Sequence, residues 1–264
     1  MILNRLSGSL RRHDWPSVVV ELAIVVIGIL LALQVDNWNQ ERREAAEARV
    51  WRAQIIEDLE RTRFELTVRR NYNAQALVFA EQALAGLQSS DPLDPSQSWE
   101  VVLGAFQAGQ ILPFQLTGPT FREVQNAGGL RRVADSETLS ALISLYDVSA
   151  YDFELVNGGR PPYRDFIRQL TPWAIQSYIG SADCQRDTID EASGLTYSEL
   201  TSCAKPDIDS QIQEALQTFR SNPTLLPQLL GRMSQLRVSD NGASSLINSV
   251  DELLAMFEKG AGYN

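Results

Sequence analysis

Three arginines, Arg160, Arg164 and Arg168, stand four positions apart, a spacing that puts side chains on one face of a helix. Tyr146, Tyr151, Tyr163, Trp173 and Tyr178 surround them in sequence. Guanidinium groups beside aromatic rings supply the donors and flat surfaces that hold an anionic small molecule or a lipid headgroup, with Tyr163 inside the stripe. The plainer reading, and the favoured one, is structural: salt bridges to Asp152, Glu154 and Asp165 over an aromatic core. Cys184 and Cys203 are the only cysteines and lie in a polar, turn-rich stretch, residues 180–206. A disulfide between them is expected if that stretch is exported, and closing such a loop is worth roughly 3 kcal/mol in the chain-entropy picture.

Little else in the chain could do chemistry. His13 is the one histidine and has no partner group near it in sequence. No Ser/His/Asp set, G-x-x-x-x-G-K-[ST], G-x-G-x-x-G or H-E-x-x-H occurs. Asp91 and Asp94 look like paired carboxylates, but Pro92 and Pro95 beside them make a turn the better reading. A net charge of −10 argues against nucleic acid as a partner, because phosphate binding needs clustered Lys and Arg. No enzyme activity, cofactor or metal is expected.

The elements that must position these residues begin with a membrane anchor. Val18 to Val35 is apolar except for Glu21 and Gln34, and Trp15 and Trp38 flank it. The two tryptophans stand roughly 34 Å apart along a helix, enough to span a hydrocarbon core with aromatic residues at both interfaces. The run is too long for a signal-peptide core, and no A-x-A site follows it. Basic flanks of Arg5, Arg11 and Arg12 before the span, and Arg42 and Arg43 after it, nearly balance. The acidic remainder and the cysteine pair place the N-terminus in the cytoplasm and residues after about 38 outside, in a bacterial periplasm. Glu21, Gly28 and Ala32 share a face of the span, with a small-x-x-x-small spacing from Gly28 to Ala32. Either this face packs against a second copy or another membrane protein, or Glu21 snorkels to the interface beside incidental small residues.

Beyond the anchor the pattern is helical. No proline occurs from Gln40 to Leu87, and apolar residues from Trp51 to Leu87 recur at three- and four-residue steps. One helix from about Pro16 to Gln88 is expected, ended by Asp91-Pro92-Leu93-Asp94-Pro95. Further helices are predicted from Trp99 to Gln107 with Ser98 as N-cap, and from a Thr120-x-x-Glu123 capping box to Gly128-Gly129. Another starts at Asp135 or Ser136, carries Leu139, Leu142, Ile143, Tyr146 and Phe153, and ends at Gly158-Gly159. The next opens at Pro161-Pro162 and breaks or kinks at Pro172. Ile208 to Phe219 makes one more, and Asn222-Pro223 opens the last, which Asp240-Asn241-Gly242 could interrupt. No convincing strand is visible.

The segment ELAIVVIGILLALQVDNWNQERRE, with Glu21, Gly28-Ile29, Ala32-Leu33-Gln34 and Asn37-Trp38-Asn39, resembles the opening of an uncharacterised family of bacterial single-pass membrane proteins. TFREVQNAGGLRRVADSETLSALISLYD looks like that family's second block, a short helix, a small-residue turn and a longer helix ending in Tyr. The resemblance implies an inner-membrane helical protein. It brings no activity, ligand or catalytic residue.

The fold class expected is all-α. A cytoplasmic segment, 1–15, leads to a transmembrane helix, 16–38, a helical stalk, 39–90, and an elongated periplasmic bundle, 91–264, that packs back on the stalk. The role expected is binding or scaffolding in the membrane, as an accessory subunit or oligomeric organiser. The alternative is a ligand-binding module for an anionic small molecule or lipid headgroup. A pocket lined by Arg160, Arg164 or Arg168 would favour the second, and a dry apolar groove the first.

Overall fold

A computed structural model describes residues 15–113, 116, 118–149, 160–181, 184–191 and 194–260. Helix α1, Trp15–Gln88, is a single element of 74 residues, within one residue of the expected bounds. From Val19 to Arg43 every side chain is exposed. This stretch is long and apolar enough to cross a membrane. Burial begins at Ala48 and then follows a strict alternation: Ile55, Leu59, Thr62, Leu66, Arg69, Asn73, Ala76, Ala80 and Ala83.

The last helix, α9, Leu225–Gly260, carries the matching seam. Leu225, Leu229, Arg232, Leu236, Ser239, Ala243, Leu246, Val250, Leu253 and Phe257 are buried at alternating steps of four and three. A 3.5-residue period keeps one face of each helix on its partner over many turns. The two run antiparallel. Near the start of the paired region Arg52 donates to the Phe257 carbonyl and Arg63 pairs with Asp251 at 2.8 Å. Farther along, Asn73 donates to Ser239 Oγ at 2.9 Å and Arg237 reaches Glu81 at 3.8 Å. The expected interruption at Asp240-Asn241-Gly242 is absent. Those residues lie off the buried seam, and the flanking Ser239 and Ala243 pack against α1, which overrides a weak local propensity.

Helix α2, Pro95–Ala108, starts earlier than the sequence suggests. Its cap is Asp94, whose side chain accepts from the Gln97 N–H at 2.8 Å while Gln97 Oε1 accepts from the Asp94 N–H at 3.0 Å. Ser98, expected as the cap, sits inside the helix, fully buried, and accepts from Gln213 Nε2. From Val101 to Gly109 no side chain reaches the surface. Gly104 permits this centrality: a Cβ there would lie 2.7 Å from the Phe79 carbonyl oxygen of α1.

Three short helices follow: α3, Pro119–Asn126, α4, Leu130–Val133, and α5, Ser136–Ile143. The Thr120 capping box does not form. Pro119 occupies the first turn, and the Thr120 N–H donates instead to Asp58 Oδ2 of α1 at 2.9 Å, so the long helix caps the short one. Gly128, at φ +70°, makes the turn after α3. Asp135 caps α5, accepting from the Thr138 N–H, and the helix passes into a π-helical turn, Ser144–Ser149. Phe153 and Gly158-Gly159 lie outside the described residues. Helices α6, Pro162–Leu170, and α7, Trp173–Ser181, are separated at Pro172 as expected.

The polar stretch after α7 corrects the absence of strands. β1, Gln185–Ile189, pairs antiparallel with β2, Thr196–Leu200, Gln185 opposite Leu200. Both strands are mostly polar and only five residues long, so no buried alternation announces them. Helix α8, Asp209–Ser221, then leads to α9. Among the described residues the regular structure is helical apart from this hairpin. Its apolar residues form two cores along the α1–α9 pair. The one nearer the apolar stretch of α1 gathers Ile55, Leu59, Phe121, Leu142 and Phe257; the far one gathers Tyr72, Phe106, Tyr163, Ile167 and Leu229.

Candidate functional site

A helix buried at its C-terminus leaves its last carbonyls without partners unless side chains supply them. The end of α2 is such a case. Tyr163 Oη donates to the Ala105 carbonyl at 2.7 Å. Arg232 of α9 donates through Nε to Ala108 and through Nη2 to Gln110, both at 2.9 Å. Arg164 Nη1 of α6 reaches the Gly109 carbonyl at 3.0 Å and Gln110 Oε1 at 2.7 Å. Arg69 Nη1 of α1 reaches the Leu112 carbonyl at 2.7 Å. The negative end of the helix dipole suits these cations.

Their charges crowd one another. Burial pushes the Arg232 guanidinium down to about 10, with nearby Arg69 adding to the shift. Burial lowers Arg164 as well, helped by Arg168 and Arg160, and Arg168 shifts down for the same reasons. All three remain protonated at neutral pH. Among the described residues, neither Arg164, Arg168 nor Arg232 forms a salt bridge with a carboxylate. The buried Arg164 Nε has no hydrogen-bond partner, nor has Gln107 Oε1.

Beside this cluster lies a cleft of about 460 Å³. Arg164 and Arg168 form one wall and the end of α2, with Gln107 and Gln110, forms the base. Trp173 and Gln176 of α7 and Gln185 and Asp187 of β1 complete it. Arg168 lies 5.4 Å from the Phe106 ring centroid, and its Nη2 is 3.4 Å from Gln110 Oε1. The hairpin wall is fastened to α2. Cys184 and Cys203 form a disulfide with 4.8 Å between Cα atoms. Gln107 Nε2 donates to the Cys184 carbonyl at 2.6 Å and Trp99 Nε1 to the Cys203 carbonyl at 3.0 Å.

The structure divides the arginine stripe. Arg164 and Arg168 reach the cleft. Arg160 precedes α6, is exposed, and pairs with Asp165 at 3.2 Å. Asp152, Glu154 and Tyr151 lie outside the described residues. Tyr163 is buried in the far core, and Tyr178 packs edge-on against Trp99. Tyr146 is elsewhere, stacked on Phe121 in the near core at 5.2 Å. On the apolar stretch, Glu21, Gly28 and Ala32 are exposed, and a Cβ on Gly28 would meet nothing within 4 Å. Asp94 serves as a helix cap, which accounts for it without chemistry.

Reading apolar residues alone misses Arg69 and Arg232. It passes from Leu66 to Asn73, and from Leu229 to Met233. The strict seam spacing was the available signal: steps of three and four from Leu66 and from Leu229 land on Arg69 and Arg232. Gln107 and the hairpin residues Gln185 and Asp187 carry no comparable signal.

No protein-family model, curated protein or solved structure matches this chain.

Proposed function

We propose that this chain is a membrane-anchored binding protein that takes an anionic small molecule in the cleft between α2, α6, α7 and the hairpin. In this reading the apolar stretch of α1 spans a bacterial inner membrane with the N-terminus cytoplasmic. The remainder stands in the periplasm. The cleft then sits roughly 50 Å from the outer interface, taking Trp38 as the membrane boundary and about 1.5 Å per residue along α1. The disulfide supports an oxidising compartment.

The observation that carries the reading is the cleft's positive wall. Arg164 and Arg168 face a pocket of small-molecule size with no carboxylate salt-bridged to either among the described residues. Arg164 is partly used in closing α2. Arg168 is freer, held by one long contact to Gln110 and the Phe106 ring. Titrating phosphate, citrate and succinate into the purified chain in detergent micelles tests the reading by calorimetry. Binding should appear for at least one and be lost in Arg168→Gln while circular dichroism stays unchanged. Failure of all three and of any sugar acid at millimolar concentration would remove the cleft as an anion site.

A second reading is supported by Glu21, an ionisable side chain exposed on the apolar stretch. Such groups inside a bilayer face protein or water more often than lipid. A second copy or another membrane protein packed over Glu21, Gly28 and Ala32 would give the chain a scaffolding role. Crosslinking in native membranes should then weaken in both Gly28→Leu and Glu21→Leu. Unchanged products would return this face to lipid.

A further inference from the structure

We infer that the anion taken by this cleft is a carboxylated sugar of the uronic-acid type. The inference rests on the anion-binding reading and adds the rest of the ligand to it. A simple oxyanion needs donors only. The cleft offers donors on one side, at Arg164 and Arg168, and acceptors on the others. Asp187 on β1 presents a carboxylate that would repel phosphate or sulfate, and it already orders one hydroxyl by accepting from Ser198 Oγ at 2.6 Å. Gln107, fully buried, keeps its Oε1 without a donor. Both groups ask for a ligand that carries hydrogen-bond donors as well as negative charge. Gln176 of α7 also lines the cleft; its Nε2 donates to the Arg168 and Thr171 carbonyls at 2.9 and 2.8 Å, which leaves its Oε1 as a further acceptor for a ligand hydroxyl.

Trp173 adds the apolar part. It lines the cleft at the first position of α7 and is 78% exposed, a large ring left in water beside a polar pocket. A pyranose ring has a C–H face that covers an indole and a rim of hydroxyls for the amides. Its C6 carboxylate then meets Arg168. Zwitterions such as free amino acids satisfy Arg168 and Asp187 but leave the indole and the glutamines unused. A volume of about 460 Å³ exceeds what one inorganic anion fills and suits one or two sugar rings.

The test uses the full chain in detergent micelles. Galacturonate, digalacturonate, galactose, glutamate and inorganic phosphate are titrated by calorimetry, and saturation-transfer NMR reads which ligand protons touch the protein. The uronates should bind best. Trp173→Ala should weaken them about tenfold, the size of one aromatic contact. Arg168→Gln should reduce them to the level of galactose. Saturation should concentrate on ring C–H protons in the wild type and fade in Trp173→Ala. Phosphate or glutamate binding as tightly as the uronates, with no loss in Trp173→Ala, would overturn the sugar while leaving an Arg168-dependent anion site. No binding by any of the five would overturn both.

Discussion

The two cores along the α1–α9 pair share one seam but differ in what fills it. Near the apolar stretch the seam residues are Ile55, Leu59, Leu66, Val250, Leu253 and Phe257, and short helices close the space with Phe121 and Leu142. At the far end the same alternation places Arg69, Asn73, Arg232 and Ser239 in the seam. The far core holds most of α2, which is buried from Val101 onward, and the helix's C-terminal carbonyls end inside the protein. Apolar side chains cannot partner those carbonyls, so arginines replace leucines at the seam positions that reach them. In the near core the N-terminus of α3 takes its cap from Asp58 of α1.

The largest effects should come from breaking either core outright. Phe257→Ala in the near core should cost about 4 kcal/mol, because an aromatic side chain only 2% exposed leaves a cavity. Urea unfolding of the chain in micelles would show it. Trp51 and Trp99, one beside each core, can report separately when the other tryptophans are replaced by Phe. Coincident midpoints mean that the seam couples both cores. Separate midpoints mean that they unfold independently, and Phe257→Ala should then move the Trp51 signal alone.

Removing the disulfide with a Cys184→Ser, Cys203→Ser pair should cost about 3 kcal/mol by the loop-closure argument. This loss belongs to the far core, since both cysteine carbonyls accept from α2 side chains. It should also weaken anion binding, because Gln185 and Asp187 directly follow Cys184. An unchanged binding constant in the reduced protein would show that α2 and the strand pairing hold that wall unaided.

Arg232→Met sharpens the comparison further. The substitution relieves the burial of a charge and leaves the Ala108 and Gln110 carbonyls without a donor, and the second effect should win by about 2 kcal/mol. A variant more stable than the wild type would reverse the explanation. The arginine would then be a buried charge that costs more than its hydrogen bonds to the helix end return.

Much of the architecture is legible in the sequence because the signals are local. Val18 to Val35 announces an apolar span, Pro172 separates α6 from α7, and the spacing of Leu225 to Phe257 gives the last long helix. The cap of α2 was equally local, Asp94-x-x-Gln97, but the helix was read as starting at Ser98. Thr120 fails as a cap for a different reason: its N–H goes to Asp58, 62 residues away. The site was only half legible. Arg164 and Arg168 stand out by spacing and Trp173 by its nearness to them in sequence, whereas Gln107 and Asp187 join them only through the packing of α2 and the hairpin. The hairpin hides because its strands are short and mostly polar, and Leu200 is the one residue of the pair that is fully buried, too little to read as an alternation.

The smallest effect separates local capping from the remote arginine caps by pH. Asp135 caps α5, and hydrogen bonds from Thr138, its backbone N–H first, hold the carboxyl below the usual aspartate value. A depressed folded pKa means that the unfolded chain takes up the proton first as pH falls. The cap's contribution is therefore whole above about pH 4, the unfolded aspartate range, and is lost as pH falls through the lower folded value. Asp135→Asn keeps an N-cap acceptor without titrating. The stability difference between wild type and Asp135→Asn should favour the wild type at pH 7 and shrink as pH falls below about 4, the unfolded aspartate range. Arg232→Met should show no such change over that interval, because the guanidinium titrates near 10. A gap for Asp135→Asn that stays constant from pH 7 to 3 would mean that the cap acts through geometry alone.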